Sequence, residues 1–158
     1  MRSIQDVTYS TAGSTPQRPA GVILVTGSRE WADAYLLGRE LEYAVARVLA
    51  AGRAPVIRHG ACLRGADLLA TRWCRYYDVP QDPRPADWPR HGGEAGFIRN
   101  TGMCTPDVRE CLAFGLPCER SPGRCASRWP FPHATHGTQD CMIKALAAGI
   151  WTRWVRPS

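Results

Sequence analysis

The feature that most limits the fold is the run from Val22 to Thr26 (Val-Ile-Leu-Val-Thr), closed by Gly27-Ser28-Arg29. A strand with no polar side must be covered on both faces, which is the position of an inner strand in a parallel sheet. Parallel strands need helical crossovers, and the sequence supplies them. After Asp33, which reads as an N-cap, Leu37, Leu41, Ala44, Val45 and Val48 recur at helical spacing until Gly52. Pro55 to His59 reads as a second strand, and Ala66, Leu69, Ala70 and Trp73 mark one face of the next helix. Val79 to Pro85 carries three prolines, which confines it to an edge strand or an extended linker. A third helix is predicted from Gly93 to Cys104, a short strand from Cys111 to Phe114, a last helix from Thr138 to Ala148, and a final strand from Ile150 to Val155. This alternation predicts an α/β fold: a Rossmann-like three-layer sandwich with a mostly parallel sheet.

A chain of 158 residues suits one domain with a core of its own. The expected organisation is a flexible tail over residues 1–20, rich in Ser, Thr, Gln, Gly and Pro, followed by a single domain over residues 21–158. Residues 115–135 break the alternation; this Cys-, Pro- and Arg-rich stretch is too long for an ordinary connection and reads as a loop insertion. No run approaches the roughly 18 apolar residues of a membrane span, so no membrane partner is expected. The tail has no apolar signal region, and seven scattered cysteines do not suit a secreted disulfide framework. A reducing, cytoplasmic setting is therefore expected.

The formal net charge is +6, and Lys144 is the only lysine. Arginine presents a planar fork that fits phosphate, although a GC-rich genome produces the same overall excess. Individual arginines beside glycine turns carry more meaning. Three such turns stand where strands hand over to helices: Gly27-Ser28-Arg29; Gly60-Ala61-Cys62-Leu63-Arg64-Gly65, with Asp67 just inside the helix; and His136-Gly137-Thr138. In open parallel sheets ligands bind beyond the carboxyl ends of the strands, where helix amino termini offer free N–H groups and a positive dipole end. Asp67 reads either as a ligand contact or as a complement to the dipole, and Thr138 as a ligand contact or an N-cap. The three turns together predict a pocket for a phosphate-bearing, nucleotide-type ligand. Trp88 reads as a stacking surface for that ligand or, preferably, as a cap on the core.

Several pieces in order carry a resemblance: Val-Thr-Gly-Ser-Arg at Val25 to Arg29, His59-Gly60 with Arg64-Gly65-Ala66-Asp67, Pro85-Ala86-Asp87-Trp88, Ala95-Gly96-Phe97-Ile98-Arg99-Asn100, and Gly137-Thr138. In this series the chain resembles the SLOG superfamily, in particular its YspA-like, YpsA-related branch. The resemblance implies a Rossmann-like fold whose glycine loops bind nucleotides or nucleotide-derived molecules, such as NAD-derived, ADP-ribose-like or cyclic nucleotide-type signals, and it implies a homodimer. Relatives include the LOG phosphoribohydrolases and, more distantly, the DNA-processing protein A family. On this resemblance Arg99 and Asn100 complete the pocket. The hydrolases carry a Pro-Gly-Gly-x-Gly-Thr-x-x-Glu loop; here Cys141 stands in place of the Glu, and Asp140 is one residue early, about 100° around a helix.

The expected function is therefore a sensor, carrier or sequestering module that requires no cofactor. An N-glycosidic or phosphoester hydrolase is the first rival, with Arg99, Asp67 and Asp140 as candidate catalytic residues. A nucleic-acid binder is the second, disfavoured because aromatic residues do not interleave with the basic ones. Within the insertion, Cys118, Cys125, His133 and His136 give C-x6-C-x7-H-x2-H, a donor set suited to structural zinc at spacings looser than those of zinc fingers. Incidental cysteines in a loop, with His136 facing the ligand, are the alternative. Arg120, Arg124 and Arg128 are candidates for a lid over the phosphates.

Overall fold

A computed structural model describes residues 17–120, 124–126 and 129–157. The chain forms five strands, β1 (Ala20–Gly27), β2 (Ala54–His59), β3 (Gln81–Pro83), β4 (Val108–Phe114) and β5 (Trp151–Val155). Between them run α1 (Ala34–Ala50), α2 (Gly65–Tyr77), the single turn α3 (Trp88–His91), a 3-10 turn (Gly92–Glu94), α4 (Ala95–Met103) and α5 (His136–Ala147). The strands lie in the order β3-β2-β1-β4-β5 and every pairing is parallel. The expected Rossmann-like α/β fold is the fold observed.

β1 explains the layering. Its side chains alternate, so Ile23 and Val25 join Leu37, Leu41, Ala44, Ala66 and Ala70 from α1 and α2 on one face. Val22 and Leu24 join Met103, Cys141 and Ala145 from α4 and α5 on the other. Asp33 caps α1 as expected, its carboxylate accepting from Leu36 N at 2.8 Å. The proline-rich segment forms the edge strand β3, where missing donors cost least.

Several boundaries differ from the sequence reading. β1 begins at Ala20, so the described end of the expected tail already belongs to the sheet, while residues 1–16 lie outside the described residues. Asp87, Trp88 and Pro89 start a helical turn that the sequence reading did not include: the Asp87 carboxylate accepts from Arg90 N at 3.2 Å, and proline tolerates the first helical positions. β4 starts at Val108, three residues before the expected Cys111. α5 starts at His136, which makes Thr135 the N-cap position and puts Thr138 inside the first turn.

Inside the sheet sits one buried cation. Arg58 of β2 is 3% exposed and donates to Asp82 at 2.8 Å, to Asp107 at 3.0 and 3.3 Å, and to the Met103 carbonyl at 3.0 Å. It ties β3 and the end of α4 to the start of β4. Among the described residues no helix is long and apolar enough to cross a membrane.

Candidate functional site

A cleft of about 640 Å³ opens above the carboxyl ends of β1, β2 and β4, where the strand order reverses direction from β1. Its walls come from all three expected turns and from α3 and α4, so Gly27, Ser28, Arg29, Gly60, Arg64, Asp67, Trp88, Arg99, Asn100, Gly137 and Thr138 face one space.

The first loop is pinned where β1 ends. Ser28 N donates to the Phe114 carbonyl at 2.9 Å, and the Ser28 carbonyl accepts from Trp31 N and Ala66 N. Gly27 is small for packing: a Cβ there would strike Ala66 Cβ and come within 2.7 Å of the Phe114 carbonyl oxygen. Ser28 is buried, and its hydroxyl accepts from Leu116 N at 2.9 Å and pairs with Thr135 Oγ1 at 2.6 Å. It therefore holds the walls together as much as it faces the cleft. Arg29 is exposed at the rim, its guanidinium 5.9 Å from the Trp88 ring centroid. Trp88, 48% exposed, forms part of the wall and does not cap the core.

The second loop is supported from beneath. His59 is buried; its Nδ1 accepts from Ala61 N at 3.1 Å and its Nε2 lies 3.0 Å from Gln81 Oε1. That support holds Ala61 at φ 57°, an unusual conformation for a residue with a side chain. Gly65 turns into α2 at φ 69°, and a Cβ there would meet the backbone of Ser28 and Arg29. Arg64 precedes it in extended conformation and pairs with Glu30 at 3.3 Å, both side chains largely exposed. Asp67 accepts from Cys62 N at 3.1 Å, so it shapes the loop as well as lining the cleft. Burial pushes its carboxyl above the usual range; the Cys62 N–H and the charges of His59 and Arg99 oppose that only in part.

Arg99 reaches from α4 to the second loop, donating to the Gly60 carbonyl at 2.6 Å and the Arg84 carbonyl at 3.2 Å. A Cβ on Gly60 would overlap the Arg99 guanidinium, so the arginine's seat requires glycine. Asn100 donates to the Gly137 carbonyl at 3.1 Å and to Asp140 at 3.0 Å, locking α4 to the first turn of α5. Gly137 is exposed, with nothing within 4 Å of where a Cβ would stand. The amino termini of α2 and α5 thus flank the same cleft.

The candidate catalytic Asp140, and Cys141 at the position of the hydrolases' glutamate, lie away from it. Asp140 is engaged by Asn100 and by Lys144 at 2.9 Å and lines no part of the cleft. Cys141 is fully buried among Val22, Leu24, Met103 and Cys111. A contact with Cys104 works in the other direction, but the Cys111 thiol and burial hold the Cys141 thiol well above its usual range, so it stays neutral. Asp67 and the exposed Glu30 are the carboxylates of the cleft among the described residues.

Cys118, Cys125, His133 and His136 do come together, their donor atoms all within 4.8 Å of one another. Cys118 Sγ lies 3.7 Å from His136 Nε2, and Cys125 Sγ lies 3.6 Å from His133 Nε2 and 3.1 Å from His136 Nε2. Ideal tetrahedral zinc bonds would separate sulfur from nitrogen by about 3.6 Å. His133 is 2% exposed and its Nδ1 meets the Ala134 carbonyl at 2.8 Å, which leaves the Nε2 lone pair for a ligand bond. The cluster can hold a metal ion. The chain on either side pairs through an antiparallel bridge, Pro117 with Ala134, with Cys118 N donating to the His133 carbonyl at 2.8 Å and Thr135 N to the Leu116 carbonyl at 3.0 Å. Arg120 and Arg124 are exposed and do not line the cleft, and Arg128 lies outside the described residues, so the expected lid does not form from the first two.

A second cavity, about 520 Å³, lies toward the amino ends of β4 and β5 among Arg47, Arg53, Arg109, Trp151 and Arg153. Arg47 is already paired with Glu110 at 2.7 Å and Arg153 with Glu40 at 2.7 Å. Those guanidiniums are neutralised by buried carboxylates, whereas at the first cleft Arg64 pairs only with the exposed Glu30.

Residues 21–91 match the sequence profile described as YAcAr, the YspA, cpYpsA-related SLOG family. The chain is similar to the Gene 61 protein of Mycobacterium phage D29, 34% identical over 133 residues that cover 81% of this chain and 90% of that protein. No solved structure matches the chain significantly. With a matching profile over the first two loops and a 34% identical relative aligned over 81% of the chain, the chain belongs to the YspA, cpYpsA-related SLOG family.

Proposed function

We propose that this protein is a binding module for a phosphate-bearing, nucleotide-type ligand, held in the cleft above β1, β2 and β4. The observation that carries the reading is the convergence of two helix amino termini with Arg29, Arg64 and Arg99 on one space of about 640 Å³. That volume falls in the range of small-molecule sites, and the donors suit phosphate oxygens. Trp88 at the rim offers a flat surface to a base or ribose. Family membership supports a nucleotide-related role and goes no further.

Binding is favoured over base hydrolysis. A hydrolase needs a carboxylate within reach of the proton it moves, and such a group typically contributes about 10²–10⁴ in rate. Asp140 and Cys141 face elsewhere, and Asp67 is held by Cys62. In calorimetric titrations, adenosine monophosphate or ADP-ribose is expected to bind saturably, and chromatography of the same mixtures to show negligible free adenine. Absence of heat and of thermal stabilisation with both compounds rejects the binding reading; steady release of adenine makes the protein an enzyme, with Asp67 as the first carboxylate to replace.

The four-residue cluster is assigned to structural zinc, on its two thiols, two imidazoles and their spacing. Protein prepared without chelator is expected to carry about one equivalent of zinc, as a closed four-ligand site does. Elemental analysis showing none rejects this assignment.

A further inference from the structure

We propose that the metal centre controls the cleft: a divalent ion held by Cys118, Cys125, His133 and His136 fixes one wall of it, so that ligand affinity depends on metal occupancy. The proposal rests on the binding reading and on the zinc assignment, and it follows from where the four ligands sit. His136 is the first residue of α5, directly before the cleft residues Gly137 and Thr138. Cys118 is two residues from Leu116, another lining residue, and His133 is two residues from Thr135. The metal cluster and the cleft wall are thus the two ends of the same short ribbon.

The inner end of that ribbon is held well: Ala134 is buried against Ala113 and Met142 and donates from its N to Gln139 Oε1 at 3.0 Å. Beyond the Pro117–Ala134 bridge and its two backbone hydrogen bonds, the outer end shows mainly ring contacts of Trp129 and Phe131 with His133 among the described residues, and a short two-stranded ribbon is marginal in water. The intervening stretch is proline- and arginine-rich, and its described residues Glu119, Arg120, Arg124, Ala126, Pro130, Phe131 and Pro132 are exposed. A bound ion contributes folding free energy to the segment it clips. The ribbon then transmits its order through Ser28, whose hydroxyl contacts Leu116 N from one strand and Thr135 Oγ1 from the other. Thr135 Oγ1 also lies 3.3 Å from Thr138 Oγ1. Loosening the ribbon therefore removes the side-chain anchor of the first loop and loosens the first turn of α5 together. Ser28 keeps its backbone bonds to Phe114, Trp31 and Ala66, and the second loop keeps its own supports in His59 and Asp67.

If the wall is correctly formed for a tenth of the time without metal, apparent affinity falls about tenfold. The test compares full-length protein as purified, after chelator treatment, and after reloading with zinc, with metal content measured each time. Two readouts are taken: adenosine monophosphate affinity by calorimetry, and amide hydrogen exchange in peptides covering Ser28, residues 114–118, residues 134–142, and α1 as a reference. Metal removal is expected to weaken binding about tenfold or more and to speed exchange in the first three regions but not in α1. The Cys125→Ser variant, altered at a position that does not line the cleft, should reproduce both effects.

Metal loss that leaves affinity and exchange unchanged overturns the proposal, as does a chain that never binds metal. Faster exchange throughout α1 also overturns it, because the ion would then staple the whole domain. If adenosine monophosphate binds neither form while exchange changes in the three regions, the ligand reading fails and control of the wall by the metal stands.

Discussion

Replacing Arg99 by alanine is expected to weaken binding of adenosine monophosphate by tenfold or more while leaving the domain folded. A charge-assisted hydrogen bond to phosphate is worth about 1.5–3 kcal/mol, which sets that factor. The guanidinium is seated on the Gly60 and Arg84 carbonyls, so its removal costs positive charge and also the link between α4 and the second loop. Arg99→Lys should recover only part of the loss, because an ammonium lacks the planar fork that spans two acceptors. Arg29→Ala is expected to act in the same direction but more weakly, since its side chain stands at the exposed rim. Unchanged affinity in both alanine variants, with melting temperatures near that of the unaltered protein, would place the ligand somewhere other than this cleft.

The largest effect on stability is expected at Arg58. Removing one partner from a buried ion pair costs about 3–5 kcal/mol; because Asp82 and Asp107 keep some access to water, the lower end applies. Arg58→Ala should therefore lower the Tm by roughly 10 °C in a domain of this size. The pH dependence supplies a second check. Hydrogen bonds from Arg84 and Arg58 hold the Asp82 carboxyl below its usual range; burial pulls Asp107 upward, but Thr105 and Arg58 bring it below the usual range as well. A carboxyl with a depressed folded pKa stabilises the protein above the ordinary carboxylate range and loses that contribution as pH falls through the folded value. Arg58→Ala should thus lose less stability on acidification than the unaltered protein. An Arg58→Ala variant as stable as its parent, with the same acid dependence, would show that the ion pairs contribute nothing net.

The sheet could be read from the sequence because its centre is one-sided in chemistry. Val22 to Thr26 has no polar position, and only a doubly covered strand satisfies that. β4 was read short because Arg109 and Glu110 interrupt its apolar pattern; Glu110 is buried by pairing with Arg47 of α1, a partner 63 residues away that no local window contains. The start of α5 was misplaced because Gly137 looks like a turn residue, whereas Gly137 and Thr138 both lie in the helix.

Site residues followed a similar division. Glycines and arginines beside strand ends were visible as a pattern, and all of the candidates but Gly65, which packs against the Ser28 and Arg29 backbone, line one cleft. The parts that shape the cleft were not visible. His59 beneath the second loop and Ser28 bound into the ribbon depend on contacts across the sheet. Loose Cys and His spacing also gave no geometry, since it is the pairing of Pro117 with Ala134 that sets Cys118 beside His133.

The hydrogen bond between Ser28 and Thr135 has a consequence for the order in which the molecule assembles. It joins residues 107 positions apart, with three of the five strands, β2, β3 and β4, between them in sequence. Contacts of such separation carry a large loop-closure cost, which is repaid only after nearer pairings have shortened the effective loop. The β1–β2 pairing and the packing of α1 and α2 need only the first half of the chain. A chain emerging from synthesis therefore completes most of its sheet before the two sides of the cleft can meet. Competence to bind arrives as the closing event of folding.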